Sequence, residues 1–143
     1  MTRFDAAAAT ERRQLFAEAV IAHRTRASAF LTIEVDPADA PGVTDDYDDG
    51  DNGETPTQVP WIQFADQTFN LDCTDAELDR LKNVLSEFPE CRIDQIERPE
   101  ATEGANVRIT ARSDPNRLSQ FADRALRTTY DLADDYRAWV AGV

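Results

Sequence analysis

Lysine is all but missing: Lys82 stands beside fourteen arginines, against eighteen aspartates and ten glutamates. No basic residue lies between Ala27 and Asp79, where fourteen of the acids fall. Nucleic-acid affinity comes largely from neutralising phosphates, so a chain of this charge is a poor candidate for it. His23 is the sole histidine, which excludes a paired-histidine metal site within one chain. Cys73 and Cys91 are the only cysteines, too few for a disulfide scaffold, and are expected to be reduced thiols. With five glycines there is no glycine-rich phosphate loop, and neither an HExxH run nor a nucleophile elbow occurs. No apolar run approaches the ~20 residues of a membrane span, and Met1 to Arg13 has no apolar leader segment. The expectation is a cytoplasmic protein without a cofactor, a bound metal or a catalytic site.

What is present is acid and enough apolar matter for a core. The 143 residues are 41% hydrophobic, with a formal charge of −13, which fits one domain with a charged surface. Such a charge repels itself in dilute buffer. The Debye length falls from ~10 Å at 0.1 M to ~3 Å at 1 M, so molar monovalent salt is needed to silence neighbouring carboxylates. In this respect the chain resembles the salt-adapted acidic proteins of haloarchaea.

Periodicity gives the elements. Leu15, Phe16, Ala19 and Val20 form the stripe of a helix over Thr10 to Arg26. Leu31, Ile33 and Val35 alternate with Thr32 and Glu34, predicting a strand that Asp36-Pro37 ends. Residues 36–60 hold eight acids, three glycines and four prolines, and are expected to be a mobile loop. Two short strands, Trp61 to Ala65 and Thr68 to Asp72, flank an Asp66-Gln67 turn and read as a hairpin. Thr74 and Glu77 form a capping box ahead of a helix lined by Leu78, Leu81, Val84, Leu85 and Phe88. Strands over Cys91 to Glu97 and Asn106 to Arg112 follow. Asp114-Pro115, an N-cap with proline at the first helical position, opens a last helix whose stripe runs to Val140.

The order α-β-β-β-α-β-β-α predicts an α+β domain over residues 1–143, in two layers, with helices on one face of an antiparallel sheet. In this order the chain resembles the type III secretion chaperone-like fold. That resemblance rests on element order and not on a residue motif. It implies a homodimer that binds another polypeptide, and hence an adaptor or chaperone-like role.

Length supplies a separate hint of association. A helix from Pro115 to Val140 would span ~39 Å, against ~23 Å for a seven-residue strand. Its last turns, carrying Leu132, Tyr136, Trp139 and Val140, would overhang the sheet and seek cover from the first helix or a second subunit.

The acidic loop has no calcium-hand register. With Gly50 sixth, Tyr47 falls third and Pro56 twelfth; with Gly53 sixth, Gly50 falls third and Val59 twelfth. His23 lies on the edge of the first helix's apolar stripe and reads as a structural side chain. The sharpest candidate is basic. If Val107, Ile109 and Ala111 face the core, Arg108 and Arg112 face the other way, and Arg92 joins them if Cys91 and Ile93 point inward. Such a strip suits an acidic peptide or a phosphate. Its competing use is cross-strand pairing with Asp94 and Glu34.

Overall fold

The computed structural model describes residues 4–26, 30–36, 60–98 and 104–141. Over these residues it is an α+β fold with one seven-stranded antiparallel sheet and three helices packed on one of its faces. The strands are β1 (Phe4–Ala6), β2 (Leu31–Val35), β3 (Trp61–Ala65), β4 (Thr68–Cys73), β5 (Cys91–Glu97), β6 (Ala105–Ala111) and β7 (Ala138–Ala141). The helices are α1 (Ala9–Arg26), α2 (Asp75–Leu85) and α3 (Pro115–Thr129). Across the sheet the strands run β1-β7-β2-β3-β4-β6-β5. The acidic loop expected over residues 36–60 falls, apart from its two end residues, outside the described residues.

The core lies between sheet and helices. Leu31, Ile33 and Val35, Ile62 and Phe64, Phe69 and Leu71, and Val107, Ile109 and Ala111 alternate inward along their strands. Phe16, Leu81 and Phe121 meet them from the helices, each with no exposed surface. An aromatic chain crosses this layer: Phe64 to Phe69 at 4.8 Å between ring centroids, Phe69 to Phe121 at 5.3 Å and Phe121 to Phe88 at 5.4 Å.

Local chemistry sets the boundaries. Thr74 Oγ1 accepts from the Glu77 amide while Glu77 Oε1 accepts from the Thr74 amide, so the capping box starts α2 as read from sequence. Asp114 Oδ1 accepts from the Arg117 amide ahead of α3. In the β3–β4 hairpin Asp66 and Gln67 have φ of 54° and 64°, the two left-handed positions that a tight hairpin of this hand requires.

The last helix departs from expectation. It ends at Thr129, and residues 138–141 form a strand inserted between β1 and β2. The stop is a Schellman motif: Asp131 has φ 57°, its amide donates to Thr128 O, and the Leu132 amide donates to Arg127 O at 2.8 Å. Glycine is the usual residue at that left-handed position, and its absence hides the stop from a sequence reading. Asp131→Gly is accordingly expected to raise stability by up to ~1 kcal/mol, read as a shift in the urea midpoint.

With the helix cut short, no overhang exists. Tyr136, Val140 and Leu132 are buried in the chain's own core, at 0%, 2% and 8% exposure. Trp139 is half-buried on β7, where its Nε1 donates to Glu34 Oε1 at 2.9 Å. The helix-end argument for a partner interface at Leu132, Tyr136, Trp139 and Val140 therefore loses its premise.

Candidate functional site

Among the described residues the helices cover one face of the sheet and leave the other to the alternate residues of every strand. Strand register orders these into rows. One row runs Thr32, Gln63, Asn70, Arg108, Gln95 across β2, β3, β4, β6 and β5. The next row toward one end is Ala65, Thr68, Thr110, Arg92. Toward the other end lie Asp72, Asn106 and Glu97, together with Trp61, Glu34 and Trp139.

Arg92, Arg108 and Arg112 are all exposed, while Val107, Ile109, Ala111 and Cys91 are buried and Ile93 is half-buried and packed against the core, as the strip requires. Arg92 sits opposite Thr110, the residue midway between Arg108 and Arg112. It is thus diagonal to both, with Cα separations of roughly 7–8 Å, while Arg108 and Arg112 are ~13 Å apart along the chain. The backbone positions of the three arginines therefore bracket Thr110 in a shallow triangle.

These arginines differ from most others in the chain. Arg12, Arg13, Arg98, Arg117, Arg124, Arg127 and Arg137 each form an ion pair. Arg92, Arg108 and Arg112 make none among the described residues, nor any side-chain hydrogen bond. The carboxylates that sequence offered them are otherwise placed. Glu34 faces Trp139, and Asp94 sits at a β-bulge, where the register shifts between Ile93 and Gln95.

Neighbouring amides are held in place. Asn106 Nδ2 donates to Asn70 Oδ1 at 2.7 Å and to Asp72 Oδ1 at 2.9 Å. Both accepting oxygens point to Asn106, so the N–H2 group of Asn70 is turned away from it, in the row of Arg108. Gln95, on the other side of Arg108, donates from Nε2 to Glu97 Oε2 at 2.7 Å.

Candidates for chemistry do not come together. His23 is buried with its ring edge on Phe64, 5.8 Å between centroids, and its pKa is lowered by burial and then by Arg24. Cys73 and Cys91 pair with Ala105 and Ala111, the two ends of β6. Six residue steps of strand separate those positions, ~20 Å, far beyond disulfide reach. Burial pushes both thiols up to about 12, with Glu77 and Asp72 adding to it at Cys73 and Glu90 at Cys91, where Arg117 opposes it. Near neutral pH both are protonated and poor nucleophiles. Among the described residues no group of three acids, cysteines or histidines is placed to hold a metal ion, and no helix is long and apolar enough to cross a membrane.

One cluster escaped the sequence reading. Arg12, with no exposed surface, donates from Nε to Asp123 Oδ1 at 2.8 Å and from Nη1 to the carbonyls of Asp134 and Tyr136 at 2.8 and 2.9 Å, and also to that of Ala7. Its guanidinium lies 3.8 Å from the centroid of the Tyr136 ring, whose hydroxyl donates to Asp123 Oδ1 at 2.8 Å. Arg12 falls four residues before Phe16, in phase with the buried stripe, and that spacing was its one legible signal. The cluster ties α1, α3 and the approach to β7 together, which makes it a structural lock.

The chain belongs to DUF7975, a family of unknown function, whose model matches residues 1–143. No curated protein and no solved structure matches the chain.

Proposed function

We propose that this DUF7975 member is a non-enzymatic binding module of a salt-rich cytoplasm, and that its open sheet face holds an anionic group at Arg92, Arg108 and Arg112. The observation that carries this is the absence of ion pairs at three neighbouring arginines among the described residues of a chain with a formal charge of −13. An acid-rich surface offers carboxylates nearly everywhere, so three guanidinium groups without one form a local positive field. Guanidinium geometry matches phosphate and carboxylate oxygens two at a time. The scattered His23 and the protonated, separated cysteines support a binding role over a catalytic one.

Anionic metabolites are expected to raise the melting temperature of the parent protein in both dilute and molar potassium chloride. Arg92→Gln, Arg108→Gln and Arg112→Gln together are expected to abolish that rise while leaving the unliganded melting temperature within a few degrees. If no anion shifts the parent protein, the reading fails. An acidic stretch of a protein partner would satisfy the same arginines. Native mass spectrometry of protein drawn from a high-salt lysate distinguishes the two, since a stoichiometric second polypeptide would identify the partner as protein.

A further inference from the structure

The open face carries more than arginines, and its charge runs in one direction. Along β4, β6 and β5 the rows pass from Asp72, Asn106 and Glu97, through Asn70, Arg108 and Gln95, to Thr68, Thr110 and Arg92, with Arg112 beyond. Trp61 belongs to the acidic end, opposite Glu34 on β2 and one step along β3 from Gln63. It is half-buried, and its side chain makes no hydrogen bond or ring contact with any described residue. The path from Trp61 to Arg108 is two residues along a strand and two strand spacings across, about 12 Å between Cα atoms. Gln63 and Asn70 lie along that path, and Asn70 is oriented by Asn106.

Building on the anion site proposed above, we infer that this face takes a nucleoside phosphate, with its base on Trp61 and its phosphates at Arg108, Arg92 and Arg112. An indole face on an open sheet is a stacking platform for a heteroaromatic ring. The side-chain amides of Gln63 and Asn70 supply donors and acceptors for the base edge and the sugar hydroxyls. The charge gradient sets the direction. Carboxylates beside Trp61 repel a phosphate there and accept hydrogen bonds from exocyclic amines, while the guanidinium groups attract phosphate at the far end.

The test compares pyrophosphate with the four ribonucleoside diphosphates by calorimetry and tryptophan fluorescence on the full chain. At least one diphosphate is expected to bind about tenfold or more tighter than pyrophosphate, the size of one base-stacking contact, and to quench fluorescence where pyrophosphate does not. Trp61→Ala should bring that nucleotide down to the affinity of pyrophosphate and leave pyrophosphate itself unchanged. Arg108→Gln should weaken both. Equal affinity of pyrophosphate and all four nucleotides for the parent protein would overturn the nucleotide inference and leave the anion site standing. So would a nucleotide advantage that survives in Trp61→Ala. Failure of the parent protein to bind either probe would overturn both readings.

Discussion

Asp123→Ala is expected to destabilise the protein by about 3–5 kcal/mol, because it strips Arg12, which has no exposed surface, of its buried counter-ion. Arg13 reaches the same carboxylate at 3.7 Å but is 41% exposed and can turn to solvent. Arg12 cannot. The Tyr136 hydroxyl also loses its acceptor; burial and the neighbouring Asp123 charge hold it protonated and obliged to donate. A paired replacement, Arg12→Met with Asp123→Leu, is expected to recover only part of the loss. Removing both charges ends the desolvation penalty. It also deprives the carbonyls of Ala7, Asp134 and Tyr136 of their donor. Urea midpoints at constant slope measure both effects. A single variant within 1 kcal/mol of the parent would show that water reaches Arg12 without loss of the fold.

Phe121→Ala is expected to cost a similar amount, about 3–5 kcal/mol, for a different reason. Phe121 has no exposed surface and joins two aromatic neighbours, Phe69 on the sheet and Phe88 beyond α2. Truncation opens a cavity where α2, α3 and the sheet converge, and rigid strand positions cannot close around it. Phe121→Leu keeps most of the volume and should recover more than half of the loss. Thermal and urea unfolding of the two variants side by side give the ratio. Equal losses would mean that ring stacking, and not filled volume, dominates at this site.

The sequence announced whichever features are governed by neighbours along the chain. Thr74 with Glu77, Asp114 with Pro115, and Asp66 with Gln67 are short-range devices, and each stands where it was read. Arg92 and Arg108 were assignable to the open face because strand alternation needs only the apolar phase of Val107, Ile109 and Cys91. The end of α3 was not assignable, since Asp131 adopts a backbone conformation usually signalled by glycine. The same helix end concealed β7 and left three core residues, Leu132, Tyr136 and Val140, on an expected overhang. β1, with three residues, is too short to show a period. The Arg12–Asp123–Tyr136 cluster joins side chains that are distant in sequence, and charged residues at core phases announce no partner of their own.

The place of β7 in the sheet has a consequence for biosynthesis. Phe4 on β1 pairs with Val140, and Ile33 on β2 pairs with the same residue from the other side. On a translating ribosome β1 has no neighbour until the residues of β7 emerge, and β2 keeps one edge unpaired for as long. Tyr136, which completes the contacts of Arg12, arrives equally late. Contacts of such long sequence separation slow folding and prolong the exposure of unpaired strand edges.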